Sequence, residues 1–257
     1  MKGPKKSLGQ HWLKDRGVLA GIAEAAEITP LDTVLEIGPG LGTLTSELLR
    51  RAEKVIAVEL DGELAAKLPG QFPGKTLEVI NEDILDFDLD ILPKNYIVVA
   101  NVPYYITSKI IQKLMTSENK PKTTVLLIQK EVAVRLAAKP GDMSILSISA
   151  QIYGVVELDQ MVPAHFFTPP PKVDSQVVVI KTRKKPLIAP EDEKWFFKVV
   201  KAGFSSKRKK LRSSIAAGLN LSKPDTETLL KQAGINPDDR AEALTINQWI
   251  DLMKIVG

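Results

Sequence analysis

Val34-Leu35-Glu36-Ile37-Gly38-Pro39-Gly40-Leu41-Gly42 runs from an apolar, β-branched segment into three closely spaced glycines. This order predicts a buried strand, a tight turn and then a helix that begins near Thr43. Glycine accepts positive φ and lets a ligand approach the backbone, and the helix start turns unpaired amides toward the same point. The third glycine comes one residue too early for the dinucleotide motif G-x-G-x-x-G, so the turn alone does not establish a nucleotide site.

The pattern around this stretch predicts an α/β domain. Short apolar runs occur at 33–37, 55–59, 77–80, 96–100 and 123–129. Helical periodicity fills the segments between and after them, at 18–26, 44–50, 62–68, 107–115 and 130–138. Such alternation favours a parallel sheet with helices on both faces. Two further strands, 155–162 and 176–181, are joined by a proline-rich loop without a helix, which predicts an antiparallel hairpin at one edge.

Beyond residue 181 the pattern becomes helical. The predicted helices are 191–202, 207–217, 225–233 and 246–255, after a short linker at 184–186. Gly218 and Gly234 stand where two of these helices are expected to end. We therefore predict a sheet-containing domain at 1–185 and a small all-helical C-terminal domain at 186–257.

Composition excludes several classes of protein. The 257 residues include no cysteine and two histidines, so disulfides, a thiolate nucleophile and a zinc enzyme are not expected. Neither an apolar run long enough to span a bilayer nor a secretory signal is present in the sequence, so we expect a cytoplasmic protein without a membrane anchor.

The net charge of +4 is unevenly distributed. Basic residues cluster at 2–16, 181–185 and 198–212, and the last cluster contains no acid. Clusters of this kind favour a polyanionic partner, although a charge run is usually a solvated face. The candidate phosphate contacts are Lys5, Lys6, Lys207, Arg208, Lys209 and Lys210.

Asn101-Val102-Pro103-Tyr104 follows an apolar strand and suits chemistry on a planar amino group. The Asn101 side-chain carbonyl accepts a hydrogen bond, Pro103 removes an amide donor, and Tyr104 offers a flat face to a base. The alternative is an ordinary strand-ending turn, in which asparagine and proline are common.

Acidic residues follow two other predicted strands. An acid at the end of the second strand, here Glu59, binds ribose hydroxyls in nucleotide sites of this topology. Asp83 follows the third strand and could accept a hydrogen bond from an adenine amino group. All of these residues lie at carboxyl ends of strands, where open α/β sheets bind ligands. Together they indicate a nucleotide-type site more strongly than the glycine turn does.

These motifs occur in a fixed order with three others: Ser7-Leu8-Gly9-Gln10-His11-Trp12-Leu13, Phe166-Phe167-Thr168-Pro169-Pro170-Pro171-Lys172-Val173-Asp174-Ser175 and Phe204-Ser205-Ser206-Lys207-Arg208-Lys209-Lys210-Leu211. Over nearly its whole length the chain resembles the ribosomal RNA adenine dimethyltransferases, most closely their bacterial small-subunit branch. The resemblance implies a class I (Rossmann-like) methyltransferase fold, with a seven-stranded, mostly parallel sheet whose last strand is antiparallel.

The same resemblance implies S-adenosyl-L-methionine as methyl donor. The implied reaction is dimethylation at N6 of two adjacent adenosines near the 3′ end of small-subunit (16S) rRNA. It takes place on small-subunit particles and implies a role in their biogenesis. The implied partner is therefore small-subunit rRNA or its precursor particle. We expect a monomer that requires no metal.

By family pattern, seven residues line the donor pocket: His11, Leu13, Gly38, Gly40, Glu59, Asp83 and Asn101. The resemblance further implies that Asn101 and a neighbouring backbone carbonyl hold the target amine, and that Tyr104 and Phe167 sandwich the adenine. Three positions depart from the family pattern, which usually has Asn-Phe at His11-Trp12 and Leu at Val102.

Two alternatives remain open from the sequence. One is a methyltransferase of the same fold with another target, either large-subunit rRNA or adenine in DNA. The other is a ribosome-assembly or nucleic-acid-binding factor that has lost the activity. The start of the chain around Gly9-Gln10 and the 204–211 motif favour the small-subunit enzyme.

Overall fold

The computed structural model describes residues 3–5, 8–206 and 208–257. Its strands are β1 (Trp12–Leu13), β2 (Thr33–Ile37), β3 (Lys54–Glu59), β4 (Leu77–Asn81), β5 (Ile97–Asn101), β6 (Thr123–Gln129), β7 (Gly154–Val162), β8 (Phe167–Thr168) and β9 (Ser175–Thr182).

The α-helices are α1 (Arg16–Ala25), α2 (Thr43–Leu48), α3 (Gly62–Lys67), α4 (Thr107–Thr116), α5 (Lys130–Leu136), α6 (Ile145–Gln151), α7 (Glu193–Phe204), α8 (Leu211–Leu219), α9 (Lys223–Gln232) and α10 (Ile246–Val256). No helix in the described ranges is both long and apolar enough to cross a bilayer.

The main sheet has seven strands in the spatial order β4-β3-β2-β5-β6-β9-β7. The first five are parallel to one another, and β9 runs antiparallel to β6. The predicted parallel sheet is thus confirmed, and the two late strands are neighbours at one edge, as expected. Strands β5 and β6 are buried along almost their whole length, which explains why they read as continuous apolar runs rather than alternating ones.

Strand register brings the predicted site residues to one edge of the sheet. Ile37 pairs with Val58 of β3 on one side and with Ala100 of β5 on the other. Glu59 pairs with Asn81. The residues that follow β2, β3, β4 and β5 therefore emerge side by side at the carboxyl ends, the position where open parallel sheets bind ligands.

Strands β1 and β8 form a separate two-stranded antiparallel sheet that the sequence pattern did not predict. Trp12 pairs with Thr168, and Leu13 pairs with Phe167. The Leu13 carbonyl also accepts a hydrogen bond of 2.9 Å from Thr43 Oγ1, at the first residue of α2. The N-terminal segment is therefore anchored beside the glycine turn.

The chain divides into two compact units. One contains the described residues up to Val134 together with Val155–Thr182, and the other contains Arg135–Gly154 and Arg183–Gly257. The helical unit therefore includes α6 as well as α7–α10, whereas the sequence-based division placed 135–154 with the sheet. Backbone hydrogen bonds from Gly141 and Met143 to the Glu242 carbonyl attach this segment to the helical unit. Domains at 1–185 and 186–257 stay a prediction.

Candidate active site

The glycine turn forms one wall of an open pocket of about 1030 Å³, a volume that includes its solvent-filled mouth. Gly38 and Gly40 both have positive φ, +65° and +58°, which other residues rarely adopt. The Gly38 amide donates to the Val58 carbonyl at 2.9 Å, so the turn is held against the end of β3. The pocket thus lies over the carboxyl ends of β2 and β3.

Glu59 is buried at the bottom of this turn. Its Oε2 accepts from the Gly40 amide at 3.0 Å, and its Oε1 accepts from the Asp61 amide at 2.8 Å. Burial raises the pKa of the Glu59 carboxyl, while the two amides act in the opposite direction. Asn81 Nδ2 donates to the Glu59 carbonyl at 2.8 Å, which joins the ends of β3 and β4.

Glu36 is a second buried carboxyl in the pocket wall, and it is not among the residues that the sequence predicted for the site. It is 1% exposed, and its Oε2 has no hydrogen-bond partner in the described part of the chain. Burial raises the pKa of Glu36 to about 8; nearby Glu59 adds to this, while Thr45 partly offsets it. The Glu36 carboxyl is therefore mainly neutral at pH 7 when no ligand is bound.

Asn101 and His11 connect the end of β5 to the N-terminal segment. Asn101 Nδ2 donates to the His11 carbonyl at 3.2 Å, which orients the amide and leaves its side-chain oxygen as an acceptor. His11 Nδ1 lies 2.7 Å from the Pro169 carbonyl oxygen. Because a carbonyl can only accept, this nitrogen carries the proton. His11 therefore ties the proline-rich loop to the same wall as Asn101.

Tyr104 presents an aromatic ring to the pocket. Its hydroxyl lies 2.7 Å from Ser175 Oγ, at the start of β9, and burial raises its pKa. The His11 ring stacks on it, with ring centroids 5.9 Å apart and an interplanar angle of 17°. Tyr105, the next residue, is exposed and lies at the pocket mouth.

Phe167 does not line this pocket, and the expected aromatic sandwich with Tyr104 stays a prediction. Phe167 is 3% exposed and belongs to the core cluster of the sheet-containing unit. The reason is its antiparallel pairing with Leu13, a residue that is itself 2% exposed and part of the same cluster. In this conformation Phe167 packs in the core beside the N-terminal segment.

The pocket lining contains most of the residues predicted for donor and target binding: His11, Leu13, Gly38, Gly40, Glu59, Asp83, Asn101, Pro103 and Tyr104. It also contains Trp12, Glu36, Leu60 and Tyr105, for which the sequence predicted no role in the site. Trp12 and Glu36 stand inside the quoted motifs, and that position in the sequence could have indicated that they line the site. For Leu60 and Tyr105 the only signal is adjacency to Glu59 and Tyr104.

Lys5 is ion-paired in the structure. Its Nζ lies 2.9 Å from Asp61 Oδ2, and the hydrogen bond to Asp61 raises the pKa of Lys5. Gln10 Nε2 also reaches Asp61, at 3.4 Å. Lys5 therefore holds the N-terminal segment to the end of β3, and an RNA phosphate would compete with Asp61 for it. Lys6 lies outside the described residues.

The second basic cluster is partly neutralised within the helical unit. Lys210 pairs with Asp238 at 3.1 Å, and Arg212 pairs with both Glu227 and Asp238 at 3.2 Å. Arg208 and Lys209 are exposed and make no ion pair within the described ranges. Lys207 lies outside those ranges. A groove lined by Lys209, Lys210, Arg212 and Lys223 runs beside α8.

The model of the family named ribosomal RNA adenine dimethylase matches residues 1–257. The chain belongs to this family. It is 45% identical over 249 residues to ribosomal RNA small subunit methyltransferase A of Dehalococcoides mccartyi, covering 95% of this chain and 86% of that protein. It is 41% identical over 258 residues to the protein of the same name from Bacillus cytotoxicus, covering 95% and 88%.

Two solved structures share the architecture of this chain. A dimethyladenosine transferase from Plasmodium falciparum has a TM-score of 0.82 at 30% identity, covering 94% of this chain and 96% of that one. The 23S rRNA methyltransferase ErmE has a TM-score of 0.78 at 29% identity, covering 95% and 98%. The predicted class I methyltransferase fold is thereby confirmed.

The family is one of methyltransferases whose methyl donor is S-adenosylmethionine, and the pocket fits that donor. Four acids line it, Glu36, Glu59, Glu82 and Asp83, and none of the described lining residues is lysine or arginine. Even with the Glu36 carboxyl neutral, an acidic lining of this kind suits a ligand that carries a sulfonium and an ammonium group against a single carboxylate. When bound, the donor supplies an electrophilic methyl group.

Proposed function

We propose that this enzyme transfers methyl groups from S-adenosylmethionine to N6 of two adjacent adenosines near the 3′ end of small-subunit rRNA. The observation that carries the proposal is the placement of Asn101-Val102-Pro103-Tyr104 on the wall of the donor pocket. The small-subunit target is supported by relatives at 45% and 41% identity that bear a small-subunit name, against 29% for the 23S enzyme.

Asn101 would hold the target amine together with a main-chain carbonyl of its own segment. The Pro103 carbonyl already accepts from the Ile106 amide at 3.2 Å, which leaves Val102 as the other candidate. The N6 lone pair is delocalised into the adenine ring and is a poor nucleophile. Two acceptors on its hydrogens favour a tetrahedral nitrogen with the lone pair directed at the methyl group. No strong base is required, because the amine becomes acidic only as the methyl group arrives.

Tyr104 would carry the target base. Flipping an adenine out of its stack costs a few kcal/mol, and stacking on an aromatic ring recovers about 1–3 kcal/mol. The hydrogen bond between Tyr104 and Ser175 holds the ring in place. The His11 ring stacked on Tyr104 occupies part of the same wall, so an entering base either displaces it or stacks beside it.

The donor would lie along the ends of β2, β3 and β4. In this arrangement Glu59 accepts from the ribose hydroxyls. Asp83 receives the adenine amino group, while its Oδ1 also accepts from the Leu85 amide at 2.9 Å. The glycine turn, with Leu13 and His11, would enclose the remainder of the donor.

The helical unit would contact the rRNA backbone. Arg208 and Lys209 are the best-supported phosphate contacts, since they make no ion pair within the described ranges, and Lys6 and Lys207 are further candidates from the sequence. We propose that the enzyme acts as a cytoplasmic monomer on small-subunit precursor particles during their biogenesis, without a metal ion.

The test is transfer of labelled methyl groups to unmethylated small-subunit particles, with the product nucleosides resolved by mass. Dimethyladenosine at two adjacent positions is the expected product. Transfer only to large-subunit rRNA or to DNA would overturn the substrate and leave the chemistry intact. Particle binding without transfer to any nucleic acid would favour the assembly-factor alternative.

A further inference from the structure

Trp12 lines the methyl-donor pocket and carries a buried hydrogen-bond donor. Its indole Nε1 is shielded from solvent and has no hydrogen-bond partner in the described part of the chain. The ring lies against the glycine turn: a Cβ on Gly40 would come within 3.8 Å of Nε1 and of Cδ1. Buried polar groups in folded proteins are nearly always paired, so an unpaired one in a pocket wall points to a ligand.

The backbone around Trp12 is held in place by its neighbours. Trp12 pairs with Thr168 in the small sheet, and the next residue, Leu13, receives the hydrogen bond from Thr43. On the other side, the His11 carbonyl receives the hydrogen bond from Asn101. The backbone on both sides of the indole is therefore fixed beside the glycine turn.

The charge of the pocket makes this N–H important. The amino-acid end of S-adenosylmethionine carries a carboxylate, and none of the described lining residues is lysine or arginine. The donors that this lining offers to the carboxylate are therefore neutral ones. We propose that Trp12 Nε1 donates a hydrogen bond to the carboxylate of the methyl donor, and that Glu36, whose Oε2 is also unpaired, accepts from the adjacent ammonium group. This proposal rests on the donor site described above.

The other two tryptophans differ from Trp12 in ways that matter. Trp195 Nε1 donates to the Met253 carbonyl at 3.2 Å. Trp249 Nε1 is also unpaired, but Trp249 is fully enclosed in the helical unit and, as far as the described residues extend, lines neither the donor pocket nor the groove beside α8. Among the described residues, Trp12 is thus the tryptophan that lines the donor pocket and also has an unpaired, buried N–H.

The experiment compares ligand binding by the Trp12→Phe variant and by the original enzyme, using calorimetric titration with two ligands. S-adenosylhomocysteine keeps the amino-acid end, and 5′-methylthioadenosine lacks it. We expect Trp12→Phe to weaken binding of the first ligand by about tenfold to a hundredfold, and of the second by less than about twofold. Trp195→Phe is the matched control and should bind both ligands as the original enzyme does.

Equal weakening for both ligands would overturn the proposal, since the ring would then serve only to pack against the adenosine part. Unchanged binding of S-adenosylhomocysteine would also overturn it. If the original enzyme binds neither ligand, the donor site itself fails and the proposal fails with it. In the original enzyme, the NMR resonance of the Trp12 indole N–H should shift when S-adenosylhomocysteine binds and stay in place when 5′-methylthioadenosine binds. This shift is measured on the original enzyme, so it does not depend on whether the variant folds.

Discussion

Glu36→Gln should change how the stability of the ligand-free enzyme depends on pH. The carboxyl is 1% exposed, and its pKa is raised from 4.5 to about 8. Between these values the folded state binds a proton that the unfolded state has released, so the contribution of Glu36 to stability is greatest below pH 4.5 and is lost by about pH 8. At pH 7 the difference spans about 2.5 pH units, and at 1.36 kcal/mol per unit it amounts to roughly 3 kcal/mol.

Glutamine cannot ionise, so Glu36→Gln removes this loss. Its amide places an N–H where Glu36 Oε2 has no partner, which costs about 1–3 kcal/mol if nothing accepts from it. The net expectation is a variant less stable than the original enzyme at pH 5 and relatively more stable with each step to pH 8. For a protein of this size, about 3 kcal/mol corresponds to a relative change in melting temperature of roughly 5–10 °C across that range.

The assay is thermal unfolding without ligand at pH 5, 6, 7 and 8 for the original enzyme, Glu36→Gln and Glu78→Gln. Glu78 is half exposed and pairs with Lys54 on the surface, so its variant should follow the pH dependence of the original enzyme. Parallel pH curves for Glu36→Gln and the original enzyme would refute the reasoning, because they would show that Glu36 has no raised pKa in the folded protein.

Three further predictions follow from the site and the helical unit. Asn101→Ala should abolish methyl transfer while the dissociation constant of S-adenosylhomocysteine, measured by calorimetry, changes less than about tenfold; turnover close to the original value would contradict the mechanism. Phe167→Ala should lower the free energy of unfolding by about 3–5 kcal/mol in denaturant because Phe167 lies in the core, whereas Tyr104→Phe should keep the aromatic face and most of the transfer rate. A Phe167→Ala variant that is stable but binds substrate poorly would instead support a role for Phe167 in holding the adenine. Replacing Arg208 and Lys209 by glutamine should weaken particle binding and flatten the dependence of log K on log salt concentration by the equivalent of up to about two phosphate contacts. An unchanged slope would argue against an RNA contact there.

The sheet could be predicted because each of its strands leaves a recognisable pattern within a short stretch of sequence. Strands such as β5 and β6 are buried on both faces and so appear as unbroken apolar runs between helical segments. The site residues at their carboxyl ends follow from that topology, since parallel strands end at one edge. Glu59 and Asn101 were therefore placed correctly at the pocket from sequence position alone.

What the sequence did not reveal depends on contacts between distant segments. Phe167 is core only because β8 pairs with β1, and two-residue strands leave no periodic pattern. Lys210 and Arg212 seemed unopposed because Asp238, their acidic partner, comes much later in the chain. The inclusion of Arg135–Gly154 in the helical unit likewise rests on bonds to the distant Glu242 carbonyl.

The hydrogen bond from Asn101 to the His11 carbonyl has a consequence for the order of events in catalysis. One short segment, residues 11–13, lines the donor pocket and, through the His11 carbonyl, also orients the Asn101 amide that we propose binds the amine. When this segment moves during the exchange of spent for fresh donor, the Asn101 amide loses its orientation and holds the target nitrogen less firmly. Each turnover then gives the half-modified base an opportunity to leave, so N6-monomethyladenosine should accumulate transiently on the rRNA and a chase with unmethylated particles should capture enzyme between the two transfers.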